Sequence, residues 1–310
     1  MAVTMVLPLV VSALLGLFAP WLGRRLPPAT AVRFLTTAAY VTTAAVWYVL
    51  AVIGLLMVAH FSVVADLGRF STRVIGDGIP VPLALAAFAP LLLGGLMLAA
   101  LGRALLGVRD LVRATARCRR LGRPVAGLVV IDEDEPDAYS VAGLRGRVVV
   151  STAMLRALSP DERRVLLAHE SAHLAGRHHL WLQAADVAVA ANPLLRPVSK
   201  AVGVAIERWA DEIAAAEVGD RTLAARALAR AGIARATATR AAAPATALPA
   251  ASHAVADRAR ALLAGPPRRR RALNGVLAAL MVTVAVASAA TTVETATLFR
   301  SAHAAYEAQR

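Results

Sequence analysis

Two histidines one helical turn apart, with a glutamate beside the first, are the residues best equipped for chemistry: His169-Glu170-Ser171-Ala172-His173. On a helix, positions i and i+4 share a face, so both imidazoles can reach one metal ion. Glu170 then stands close enough to act on a metal-bound water without ligating the metal. Zinc bound for catalysis takes three protein ligands and leaves the fourth position open.

The third ligand is expected from Ile206-Glu207-Arg208-Trp209-Ala210-Asp211-Glu212, where Glu207 lies 34 residues after His173. Val202, Ile206, Trp209 and Ile213 recur at helical spacing with charges between them, the pattern of a helix with one buried side. Glu207 and Asp211 are i, i+4 and face the same way. Glu207 is assigned to the metal, and Asp211 to the free N–H of a ligating histidine.

Those side chains need a helix pair and a scaffold. Ser159-Pro160-Asp161-Glu162 reads as a helix start, with a serine cap, proline at the first position and glutamate three residues after the cap. The helix is predicted to run to about Gly176. Upstream, 127–131, Ala138-Tyr139-Ser140-Val141 and Arg147-Val148-Val149-Val150-Ser151 read as short strands, the last after a turn at 143–146. Such strands offer either an edge for an extended peptide or scaffold alone.

The remainder reads as membrane. The chain is 58% hydrophobic, its mean hydropathy is +0.61, and the apolar residues fall in four uncharged blocks at 1–22, 34–61, 81–102 and 272–293. Each holds about 20 residues or more, enough to cross a hydrocarbon core about 30 Å thick. The first block lacks a positive n-region and is read as a span rather than a cleaved signal. Arg24, Arg25 and Arg33 follow span one, an arginine-rich run from Arg103 to Arg123 follows span three, and Arg268 to Arg271 precede span four. The positive-inside rule puts all three groups in the cytoplasm, so the zinc-site segment is expected inside and both termini outside.

This topology accounts for a net charge of +14. Basic clusters beside spans fix topology and bind anionic head groups, and no nucleic-acid motif accompanies them, so direct nucleic-acid binding is not expected. Cys118 is the single cysteine, which excludes an internal disulfide and thiolate metal sites. His178 and His179 follow the helix end, where loop histidines are commonly exposed, with an oxyanion role as the alternative. Leu180 to Ala191 is too short to span, and is expected to pack on the domain or dip into the interface. Residues 236–267 read as a poorly structured Ala-, Thr- and Pro-rich stretch with one short helix around Val255 to Leu263.

On these residues the chain resembles the BlaR/MecR-type antirepressor membrane zinc metallopeptidases, of the gluzincin class, in a short form. The resemblance rests on Ala138-Tyr139-Ser140-Val141-Ala142-Gly143, Val148-Val149-Val150-Ser151-Thr152, His169 to His173, Asn192-Pro193 and Glu207 to Glu212. It implies zinc ligation by His169, His173 and Glu207, catalysis by Glu170, and an acidic residue at Asp211. It also implies a winged-helix repressor as substrate. The penicillin-binding sensor domain that follows the last span in the sensor proteins has no counterpart in the roughly 15 residues after Val293. HtpX-type quality-control proteases share the same ligands, but usually place two spans before the zinc domain and two after.

The expected architecture is a mainly α integral membrane protein with an α+β zincin-like metalloprotease domain and a small β-sheet. Three spans fill 1–103 (about 1–22, 34–60 and 81–102), the zinc domain 104–271, the fourth span 272–294 and a short outer tail 295–310. The expected activity is zinc-dependent hydrolysis of peptide bonds in a cytoplasmic or membrane-proximal protein, with Glu170 moving the water proton to the leaving amine. The rivals are a non-proteolytic signalling or scaffold protein with a structural zinc site, and a transporter. The transporter would want ionisable groups inside the spans.

Overall fold

Long apolar helices dominate the computed structural model, which describes residues 1–79, 81–120, 124–143, 146–240, 248–267 and 271–309. The first two helices, α1 (Ala2–Arg25) and α2 (Pro28–His60), are separated by Leu26, which takes an extended conformation before a proline and ends the first, and Pro27, which caps the second ahead of a proline in its first turn. Three short helices, α3 (Ser62–Gly68), α4 (Thr72–Gly78) and α5 (Leu83–Ala86), lead to α6 (Ala89–Arg120). Among the described residues, four helices are long and apolar enough to cross a membrane: Ala2–Arg25, Pro28–His60, the run over Leu83–Cys118, and Leu277–Glu307. These are the four candidate membrane spans among those residues. The fourth of these lies in the last helix, Arg271–Glu307.

Two of these helices outrun their apolar blocks. Beyond Gly102, α6 continues to Arg120 because Ala, Leu and Arg are strong helix formers, and because Ala114 and Cys118 pack against Val129, Val141 and Val149 of the sheet. The segment 295–307, expected as part of a tail, is the end of the last helix. It is held where Ala302 and Phe299 pack with Ala59, Phe70 and Ile75, and where Ser71 N–H donates to Ala302 O at 2.9 Å.

A three-stranded sheet follows α6: β1 (Leu128–Ile131), β2 (Ala138–Val141) and β3 (Arg147–Ser151), in the order β1-β3-β2. The central β3 pairs parallel with β1 (Val129 opposite Val149) and antiparallel with β2 (Tyr139 opposite Val149). Val149, Val150 and Ser151 are fully buried, and β2 is left as an edge. Leu144 and Arg145 of the expected turn lie outside the described residues.

Five helices follow the sheet: α7 (Thr152–Ala157), α8 (Pro160–Ala175), α9 (His178–Ala191), α10 (Arg196–Val218) and α11 (Arg221–Arg240). The start of α8 has both halves of a capping box, with Ser159 Oγ accepting from Glu162 N–H and the Glu162 carboxylate accepting from Ser159 N–H. Then come α12 (Leu248–Leu263) and α13 (Arg271–Glu307). Of the segment 236–267, the described residues 236–240 end α11 and Leu248–Leu263 form α12, a longer helix than the one expected around Val255 to Leu263. The segment's alanines favour helix, α11 runs to Arg240, and α12 is seated by Leu262, 2% exposed among Val165, Ala214 and Leu223. Residues 241–247 of that stretch, and Arg268 to Arg270 of the basic run before span four, lie outside the described residues.

The largest core is shared between the spans and the helices of the site. Leu15, Ala19 and Leu22 of α1 and Val32 and Leu35 of α2 pack with Ala185 and Ala188 of α9 and Val198, Val202 and Ile206 of α10. Close approach is enforced at Gly16, where an added Cβ would stand 2.3 Å from the Leu194 carbonyl oxygen. Trp47 Nε1–H donates to Ala191 O (3.0 Å) and Tyr40 O–H to Ala184 O (3.1 Å), fastening α9 to α2. Arg103 of α6 pairs with Asp186 of α9, whose other oxygen accepts from Ser199 Oγ of α10 at 2.6 Å. Leu180–Ala191 therefore packs on the domain and on the spans at once, and α10 is held by membrane helices on one side and by α8 on the other.

Candidate metal centre

Helix α8 presents His169 and His173 on one face, toward Glu207 of α10. The two Nε2 atoms are 3.2 Å apart. Glu207 Oε2 lies 3.7 Å from His169 Nε2, and Oε1 lies 3.7 Å from His173 Nε2. Among the described residues these three side chains form the group able to hold a metal ion. Tetrahedral zinc with bonds near 2.0 Å sets its donors about 3.3 Å apart, so the separations suit that ion.

The far side of each imidazole is oriented. His169 Nδ1 lies 3.1 Å from Asp211 Oδ1, and a carboxylate there fixes the tautomer with hydrogen on Nδ1 and the Nε2 lone pair toward Glu207. His173 Nδ1 lies 3.1 Å from His178 Nδ1. A free Nε2 on His173 requires its Nδ1–H to donate and His178 Nδ1 to accept.

The expectation of an exposed loop position for His178 is overturned. It is 1% exposed, with its ring 4.7 Å from that of Trp209. Arg177 takes a left-handed conformation (φ 47°, ψ 44°) that ends α8 and starts α9, turning His178 back toward the site. Gly176 makes room, since a Cβ there would lie 2.4 Å from His178 Nε2. His179, the neighbour weighed with it, is only partly buried.

Charge and burial set the protonation states. Burial, reinforced by neighbouring histidines, pushes His173 and His178 down to about 4, so both stay neutral in ordinary conditions. Burial pushes the Glu170 carboxyl above the usual carboxylate range, against the lowering pull of His169. At Asp211 burial also works to raise the pKa. The hydrogen bonds from Arg258 and His169 outweigh it and hold Asp211 below its ordinary value.

The residue that sequence reasoning missed is Arg258, on α12. Its Nε and one terminal nitrogen donate to the two Asp211 oxygens at 2.8 and 2.7 Å, and the other terminal nitrogen lies 2.9 Å from Glu207 Oε2. No local signal marks it, because its importance comes from where α12 docks.

A cavity of about 320 Å³ opens over the site. Ala138, Tyr139 and Ser140 of the β2 edge line it, together with apolar residues that include Val165, Ala227 and Leu262. Arg235 of α11 donates to the Ala138 carbonyl at 2.5 Å on the edge away from β3.

Residues 107–273, more than half of the chain, match the profile of Peptidase family M48. The match is consistent with the resemblance of the motifs to BlaR- and HtpX-type zinc metallopeptidases. No solved structure matches the chain.

Proposed function

The chain belongs to peptidase family M48, and from that premise we propose that it is a multi-pass membrane zinc endopeptidase cutting a protein at the membrane surface. The observation that carries the reading is the convergence of His169 Nε2, His173 Nε2 and the Glu207 carboxylate within 4.8 Å of one another, with buried Glu170 beside them. Those three would hold the ion. When bound, a divalent ion there supplies Lewis acidity to a scissile carbonyl and to water.

The protein's own groups do the rest. Glu170, its pKa raised by burial, accepts a proton from the attacking water and returns it to the departing amine. Asp211 and His178 hold the two imidazoles in the tautomers that ligation needs. An extended substrate segment would add to β2 at Ser140, whose backbone groups face away from β3, because the Ala138 carbonyl is taken by Arg235 and its N–H by Asp137 Oδ1. The apolar part of the cavity suits an apolar side chain next to the cut.

The positive-inside rule, applied to Arg24, Arg25, Arg33 and the run from Arg103 to Arg123, supports a cytoplasmic site with both termini outside. A winged-helix repressor as substrate rests on the resemblance of the motifs alone. The deciding experiment uses the full chain purified in detergent. Zinc content and cleavage of casein and of its own chain are compared between wild type and Glu170→Gln. Zinc retained with cleavage lost supports the reading, whereas equal cleavage by both proteins ends it.

A further inference from the structure

Helix α12 lies outside the pair that carries the motifs, yet it delivers one guanidinium into the site. We propose that Arg258 is a positioning residue that clamps the Glu207 carboxylate in the orientation metal ligation requires, an inference that rests on the metallopeptidase reading. Glu207 needs such a clamp. Its side chain is 41% exposed, and a glutamate on a flexible stem, open to solvent, samples rotamers that turn its oxygens away from His169 and His173.

Arg258 has the geometry for the task. Its side chain is only 16% exposed, and its planar fork is pinned on Asp211 by two hydrogen bonds. That leaves one terminal nitrogen fixed at 2.9 Å from Glu207 Oε2. Asp211 in turn faces His169 Nδ1 at 3.1 Å. One guanidinium thus joins the carboxylate expected to ligate with the carboxylate that orients a ligating histidine. Lysine offers a single charged point, and cannot reproduce donation to both.

The helix beneath Arg258 is itself anchored. Leu262, one turn later on the same face, is buried with residues of α8, α10 and α11. Arg221 donates to the Leu262 and Gly265 carbonyls at the end of α12 (2.8 and 3.1 Å) while gripping Glu212 with two bonds of 2.8 Å. The charges also balance, since the Asp211 carboxylate offsets the guanidinium. The clamp therefore orients Glu207 without adding a net positive charge to compete with a cation.

The test measures metal binding rather than turnover, on the full chain in detergent. Zn2+ affinity is read by competition with a chromophoric chelator, and site geometry by the visible absorption of bound Co2+. Arg258→Ala is expected to weaken Zn2+ binding about tenfold or more and to alter the Co2+ spectrum. Arg258→Lys recovers only part of the loss. Arg260→Ala, on the same helix but solvent-exposed and paired with Asp257, binds as wild type does.

Zn2+ affinity within about twofold of wild type in Arg258→Ala, with an unchanged Co2+ spectrum, overturns the proposal, and so does full recovery in Arg258→Lys. If Arg258→Ala shows no cooperative melting, Arg258→Lys decides by the same affinity threshold. Failure of wild type to bind Zn2+ at all sinks the metallopeptidase reading together with this one. Binding by wild type that is indifferent to Arg258 sinks this one alone.

Discussion

His178 Nδ1 lies 3.1 Å from His173 Nδ1, in a pocket where His178 is 1% exposed. One imidazole thus orients another, and the pair continues to the Trp209 ring on α10, 4.7 Å from His178. Replacing His178 by phenylalanine keeps a ring against Trp209 but removes the acceptor. His173 is then free to rotate, and Zn2+ affinity is expected to fall by about 10- to 100-fold. Chelator competition would measure it, with the partly buried His179→Ala as the comparison. Unchanged affinity in His178→Phe would show that His173 needs no such support.

The same pocket makes stability depend on pH. His178 titrates at about 4 in the folded protein and near 6.5 when unfolded. Between those values the unfolded chain binds more protons, so stability rises with pH. Its contribution is complete above about pH 6.5, and on the order of 3 kcal/mol is lost on descending to pH 4. The apparent melting temperature of the metal-free protein should fall across that window. In His178→Phe the fall should be shallower, and an equal slope in both proteins would contradict the assignment.

Glu170→Gln keeps the size of the side chain and removes the base. Cleavage is expected to drop by about 100-fold or more while metal is retained. Because burial raises the Glu170 pKa, cleavage by wild type should fade on acidification at a pH above the ordinary carboxylate range. A pH–rate profile with its acid limb at the ordinary glutamate value would argue against Glu170 as the proton acceptor.

Gly16→Ala tests whether the spans position the site. The new Cβ would meet the Leu194 carbonyl oxygen at 2.3 Å, forcing α1 away from the start of α10. Overpacking of this kind costs about 1–3 kcal/mol. The expected result is a lower melting temperature together with weaker Zn2+ binding, although Gly16 touches no ligand. Lower stability with metal affinity intact would mean that α10 is positioned by α8 alone.

What could be read from the amino acids was local. The i, i+4 spacing of His169 and His173, and that of Glu207 and Asp211, puts each pair on one helix face whatever else the chain does. The cap at Ser159 and the four apolar blocks are equally local, and the structure has the capped helix and four long apolar helices. The β2 and β3 boundaries coincide with their apolar runs. Helix length was less legible, because α6 and α13 continue wherever a neighbour covers them.

Tertiary structure alone decided the partners. His178 became an inner residue because a left-handed Arg177 and a bare Gly176 fold it beneath His173. Arg258 reached Glu207 and Asp211 because Leu262 docks α12 on α8, α10 and α11. The spans and the site share one core because α10 lies between them. Spacing along a helix is set by 3.6 residues per turn and is written in the chain itself. Which distant side chain meets a given face depends on how whole helices pack, and no short stretch of sequence carries that information.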